Sequence, residues 1–379
     1  MKSIRIINPN FELLAEIDDY ESLMFTRSWH GIGQLELKIN RYKKHTEHLT
    51  RGNIIRIGPK KAFIIRHREI GLDEKGRITE NWVIKGLALK SITGQRITLP
   101  PLHTAYDNRQ SNAETVMKHY VKNNLTNAID TSRNYSDLMI AQNLNRGPSV
   151  SWQSRFKNLA EELADISMVS GLGWDINLDF HAKKWILDCS AGRNLTAGQD
   201  FLPPVIFSPQ FDAIKELQYS DSDLDYKNIA YVAGQGEGVD RRVIILGNAK
   251  GLARHEVFID ARDVEEVDEN ENPIPESQIV QALTDRGYQK MQEFLQEEYL
   301  EGQILTHSPF KYEVDYDLGD IVTVQNKSWG VTLDARITEI QEIYERSGFK
   351  LEAVFGQSRP TLIKKIKQEL AQVGGEVRK

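Results

Sequence analysis

Apolar and polar residues alternate most regularly at the two ends of the chain. Leu35, Leu37 and Ile39 alternate with Gln34, Glu36 and Lys38. Phe349, Leu351, Ala353 and Phe355 alternate with Lys350, Glu352 and Val354. A period of two predicts strands with one buried face. Asn8-Pro9-Asn10, Asp18-Asp19, Gly31-Ile32-Gly33, Arg51-Gly52-Asn53 and Asp73-Glu74-Lys75-Gly76 punctuate the first hundred residues. Short strands at this spacing predict a closed or nearly closed antiparallel barrel over residues 1–104. Near the other end, the corner Leu318-Gly319-Asp320 feeds Ile321 to Val324, and Glu345-Arg346-Ser347-Gly348 joins two β-rich runs. Gly319 and Asp320 are assigned as a structural corner and Gly348 as a hairpin tip.

Between these ends the period changes. Pro100-Pro101 closes the first β region. Ser111 and Glu114 read as a capping box, with Ala113, Val116, Met117, Tyr120 and Val121 on one helical face. A second helix is predicted from Ser154, with a stripe of Phe156, Leu159, Ala160, Leu163 and Ile166 and a stop at Gly171 and Gly173. A hairpin around Phe180-His181-Ala182 completes an α+β domain over 105–208. Residues 209–250 and 301–358 are predicted to form a second β-barrel-like domain. An acidic loop and helix, 251–300, lie peripheral to it, and 359–379 reads as a basic amphipathic helix. The fold class is mostly β with α+β insertions, built on two antiparallel barrel-like domains.

Composition narrows the chemistry. The 379 residues carry a formal charge of −6, which argues against a dedicated nucleic-acid binder. The single cysteine, Cys189, excludes an intrachain disulfide and a cysteine-based zinc cage; in its alternating strand it reads as a small buried residue. The N-terminus has no apolar signal segment, and no apolar run approaches the ~20 residues that span a bilayer. The Gly234-Gln235-Gly236-Glu237-Gly238 loop precedes a β-branched strand rather than a helix, and Glu237 and Asp240 repel phosphate. Gly234 and Gly236 are therefore assigned to a hairpin tip. Asp221-Ser222-Asp223-Leu224-Asp225 begins like a calcium loop, but Tyr226 and Val232 stand where glycine and glutamate are needed. His45 and His48 can share a helix face near Glu47, in a charged connector. Glu161-Glu162 and Glu265-Glu266 are the carboxylate pairs available to a glycosidase, and the first pair is placed on a solvated helix face. No catalytic, cofactor or metal residue is assigned.

An ordered set of stretches carries a resemblance. Tyr20 to Trp29 with Gly33-Gln34-Leu35-Glu36-Leu37, Asn228 to Gly236, and Tyr316 to Val322 resemble siphophage and prophage tail-hub proteins, also called tail-associated lysins or baseplate hubs. The resemblance spans essentially the whole chain. It implies a virion tail-tip protein assembled in the bacterial cytoplasm. It implies a homotrimeric ring of pseudo-sixfold symmetry, joining a hexameric tube to a trimeric tip. The implied partners are the distal tail protein, the tape measure protein, a tail fibre or receptor-binding protein, and double-stranded DNA passing through the lumen without specific binding. Many relatives end in a peptidoglycan hydrolase; this chain ends at Lys379, soon after its last β-domain. The expectation is a structural, non-enzymatic hub without cofactors. The alternatives are a cell-wall hydrolase and a host-glycan-binding β module.

Overall fold

The computed structural model describes residues 2–72, 76, 79–267 and 272–356. The expected C-terminal helix lies outside these. Strands hold 42% of the residues and helices 19%, so the chain is mostly β. The first seven strands are β1 Ile4–Ile7, β2 Leu13–Ile17, β3 Ser22–Ser28, β4 Gln34–Asn40, β5 Ile54–Gly58, β6 Lys61–Glu69 and β7 Asn81–Ala88. Their inward positions, among them Leu23, Phe25, Leu35, Leu37, Ile39 and Phe63, form one core.

The mixed segment follows. It comprises β8 Asp107–Asn112, α1 Ala113–Val121, β9 Leu138–Ile140, β10 Ser149–Ser154, α2 Leu159–Ser170, β11 Gly173–Asp179 and β12 Lys184–Ser190. Its core takes in Ile7, Ile54 and Ile64 from the first strands, so the segment packs on the back of that sheet. Several local expectations are corrected here. Asn112, not Ser111, caps α1, accepting from the Thr115 amide at 2.9 Å. Glu114 turns inward and pairs with Lys118 at 2.6 Å and Arg146 at 2.8 Å. The second helix starts after Asn158, whose Oδ1 takes the Ala160 and Glu161 amides. Phe156 precedes the helix, at φ 53°, and is exposed. Gly171 ends α2 at φ 71°.

The remaining elements are β13 Asn194–Leu195, β14 Ile206–Phe207, β15 Ile214–Ser222, β16 Ile229–Ala233, β17 Val243–Leu246, β18 Glu256–Asp260, α3 Glu276–Met291, β19 Glu297–Ile304, β20 Ile321–Asn326, β21 Val331–Glu345 and β22 Gly348–Gly356. Only part of 209–250 joins the large sheet. β15 pairs with β19. β16 and β17 instead pair with each other and β16 with β18, and α3 covers one face of that three-stranded sheet. The strands on either side of the Gly-rich loop, expected in the second barrel, instead bury Ala230, Val232 and Leu246 under α3, which belongs to the 251–300 segment.

The large sheet has one unbroken antiparallel path, β15-β19-β22-β21-β3-β4-β7-β6-β5-β1-β2, with β13, β14 and β20 attached beside it. Its seam is β21 on β3, from Glu339↔Ser28 to Glu345↔Ser22. The sheet curls into a half-barrel. Lys61 on β6 reaches Glu342 on β21 at 2.5 Å. Those strands are four steps apart along the path, about 19 Å in a flat sheet at the usual strand spacing, so only a curled sheet brings them into contact.

Candidate functional site

No cleft with convergent reactive groups organises the described residues; a joint does. β3 ends at Ser28, and Trp29 follows it into the meeting point of three segments. Its amide donates to Thr338 O at 2.8 Å, beside the bulge in β21. Its indole Nε1 donates to Gly171 O at 3.0 Å, at the end of α2. A Cβ on either Gly173 or Gly319 would overlap the ring carbons, so the indole fills a slot that only these two glycines leave open. Gly319 also needs its freedom of backbone, at φ 93°. The Arg336 guanidinium lies over the indole, 5.4 Å from ring centre. It donates to Ala191 O at 2.8 Å and also to Gly319 O.

Charged groups lock the same joint. Asp320 is buried and accepts from the Arg193 amide at 2.8 Å, the Arg193 guanidinium at 2.6 Å and the Asp317 amide at 2.9 Å. Arg27, nearly enclosed on β3, donates to Asp317 at 2.7 Å and to the Tyr312 hydroxyl at 2.9 Å. Burial opposes the Arg27 charge, but Tyr312 and Asp317 outweigh it and raise its pKa. Burial likewise works against the Asp317 carboxylate, yet Arg27 holds it below the ordinary aspartate value. Lys90 is the costly member. It is fully enclosed, donates to Ser28 O at 2.8 Å and Trp174 O at 3.0 Å, and burial pushes its pKa down to about 8. The arrangement has donors and acceptors matched within the fold, and its chemistry is mechanical: it fixes the angle between segments.

The other assigned residues lie elsewhere. Gly348, at φ 129°, has open space where a side chain would go, at the turn between β21 and β22. Gly234 and Gly236 flank the β16–β17 turn; Gly236, at φ 97°, lies against the Arg241 backbone, and Gly234 against Leu283 of α3. His45, Glu47 and His48 bring their ligand atoms within 4.8 Å of one another on a short outer turn. Glu161 is exposed, but Glu162 is not on the solvated face expected for it. It is buried, taking the Trp152 indole N–H at 2.7 Å. The two carboxylates thus face different surroundings. Cys189 sits in the α1–α2 core, where burial pushes its thiol up to about 12. Sequence reasoning missed Trp29, Arg27 and Lys90; the one available signal was Trp29 just before the Gly31-Ile32-Gly33 turn.

Comparison with solved structures places the fold. A 43 kDa tail protein of prophage MuSo2 from Shewanella oneidensis is similar with a TM-score of 0.58 at 12% identity, covering 94% of this chain and 98% of that one. A tail protein from Neisseria meningitidis MC58 gives 0.53 at 12% identity, with 94% and 96% covered. Prophage tail protein gp18 from Listeria monocytogenes EGD-e gives 0.50 at 9% identity, with 98% and 99% covered. No curated protein matches the sequence. The fold shared with these proteins is that of phage tail proteins, which agrees with the resemblance in the sequence. Residues 3–357 match one family along their whole length, and the chain belongs to the siphovirus ReqiPepy6 Gp37-like proteins.

Proposed function

We propose that this chain is the structural hub of a phage tail tip, with no catalytic role. The observation that carries the reading is the curled sheet, whose unbroken path runs from β15 to β2 and, among the described residues, leaves one free strand edge at each end. An edge presents unpaired N–H and C=O groups and invites another strand. In a homotrimer, head-to-tail contact between subunits covers both edges and closes the ring. Each subunit then supplies two tube-forming halves, one on either side of the β3–β21 seam. Three subunits give the pseudo-sixfold ring that joins a hexameric tube to a trimeric tip. Residues 105–190 and 223–296 stand outside it, whereas β13 and β14 pair with β20 and belong to the second half. The distal tail protein, the tape measure protein and a fibre are the partners in this reading, and the lumen passes double-stranded DNA without specific binding.

Imaging of the intact particle with the chain placed in density tests the proposal. Threefold symmetry at the tail tip is the expected result, and any other symmetry there sinks it. A zymogram on host peptidoglycan tests the non-enzymatic part: a cleared band from the purified chain would overturn it.

A further inference from the structure

The connector from β4 to β5 is a firmly held turn rather than a loose charged loop. Thr46–His48 form one turn of 3₁₀ helix. In that geometry residues three apart lie one above the other. Thr46 and Leu49 thus share the inner side, and both are buried. The Thr46 hydroxyl donates to Arg41 O at 2.9 Å and to Lys43 O at 3.1 Å. His48 N donates to His45 O at 3.1 Å and Leu49 N to Thr46 O at 3.2 Å. The Asn53 side-chain amide donates to His48 O at 2.8 Å. The backbone that carries the outer side chains is therefore fixed from within.

The same spacing stacks His45 on His48 on the outer side, with ring centres 6.2 Å apart and planes 24° from parallel. Glu47 reaches both rings. One of its oxygens lies 4.0 Å from His45 Nδ1 and 3.6 Å from His48 Nε2. His45 itself adopts the left-handed conformation, at φ 71° and ψ 7°, and strained positions of this kind cluster at functional sites. Among the described residues, this is the one group of three histidine, cysteine or acidic side chains whose ligand atoms all lie within 4.8 Å of one another.

Two nitrogens and one oxygen are a recognisable donor set. In a tetrahedral site with bonds of about 2.0–2.1 Å, neighbouring ligand atoms sit about 3.3 Å apart. Closing the trio to that spacing takes a shift of about 1.5 Å or less. The three side chains, between 35% and 66% exposed, are free to make it. Paired imidazoles suit zinc and its neighbours in the first transition row, whereas magnesium and calcium take oxygen ligands.

We propose that His45, Glu47 and His48 bind one divalent transition-metal ion of the zinc class, through two imidazole nitrogens and one carboxylate oxygen. Three protein ligands leave the fourth position of the ion open to solvent.

Isothermal titration of zinc into the full chain, stripped of metal beforehand with a chelator, tests this. One site per chain is expected at the turn. His45→Ala, Glu47→Gln and His48→Ala should each weaken it at least about tenfold, the smallest loss usual even for an outer partner of a metal ligand. His67→Ala is the control, because His67 has a single carboxylate beside it, Glu69 at 3.3 Å; it should leave the affinity unchanged. Absence of binding, or binding that survives all three substitutions, would overturn the proposal. Magnesium competing as well as zinc would overturn the assigned class of ion. Modification of histidines by diethyl pyrocarbonate, read by peptide mass spectrometry, gives a second measurement on the unmodified sequence. One equivalent of zinc should protect His45 and His48 and leave His67 reactive; equal reactivity of His45 and His48 with and without zinc would also overturn it.

Discussion

Gly319→Ala is the most direct probe of the joint. The new methyl group meets two separate penalties. The backbone at φ 93° costs an L-residue about 1–2 kcal/mol. The Cβ also overlaps the Trp29 indole, and forcing an extra methyl into a packed slot costs about 1–3 kcal/mol. Together these give a loss of about 2–5 kcal/mol. The two penalties separate in a double-mutant cycle. Trp29→Ala alone costs about 3–5 kcal/mol through the cavity it leaves. In the double variant the ring is gone, so the overlap vanishes and only the backbone penalty remains. The double variant is therefore more stable than the sum of the single changes predicts, by about 1–3 kcal/mol. Urea unfolding followed by circular dichroism supplies the four free energies, and an unchanged m value licenses the comparison. Coupling within about 0.5 kcal/mol of zero would mean that Trp29 does not fill the slot beside Gly319. The larger change Gly319→Val is expected to impair folding or ring assembly, and normal infectivity with normal trimers would refute the corner.

Other substitutions discriminate similarly. Gly348→Ala, with open space around it, should cost only its backbone strain, about 1–2 kcal/mol by urea midpoint; a larger loss would mean unseen packing at the turn. Burial holds the folded pKa of Lys90 at about 8, against the ordinary lysine value of 10.5. The unfolded chain therefore binds more protons between those values, and stability from this group rises with pH across that window, by about 3 kcal/mol. Unfolding of the wild type minus that of Lys90→Met, measured at pH 7.5 and 10, should show this rise, and a flat difference would refute the burial argument. For Glu114, burial pushes the carboxyl up, but Arg146 and Lys118 outweigh it and hold it at about 2. Its stabilisation is present above the ordinary glutamate range and fades as pH falls toward 2. Glu114→Gln should cost about 3–5 kcal/mol at pH 7 and flatten the acid limb of the stability curve.

The local periods in the sequence were readable where one face is buried and the other wet. Leu35, Leu37 and Ile39 are all enclosed, and so are Leu351, Ala353 and Phe355. The reading failed where tertiary contacts override local chemistry. Glu114 looked like a capping partner, but two cations 4 and 32 residues away draw it inward. Glu162 looked solvated by helical position, until the Trp152 indole supplied a donor. The joint was the least legible feature. Trp29 meets Gly171, Gly173 and Gly319, contacts more than 140 residues distant, and nothing in the local pattern around Trp29 encodes them. Turn chemistry points to Gly319 but carries no sign of the indole that packs against it.

The seam between β3 and β21 sets a timetable for synthesis. Residues 22–28 leave the ribosome about 310 residues before their partners at 339–345. At typical elongation rates of about 5–20 residues per second, that is a wait of roughly 15–60 s. Throughout it β3 has a neighbour on one side only, β4, and its other edge is open to any passing strand. A nascent chain of this protein is thus sticky along one defined line for most of its birth, and capture of that line by β21 ends the exposure. Ribosome-bound chains stalled before residue 331 should need a holding chaperone to stay dispersed, whereas those stalled well beyond residue 356 should not.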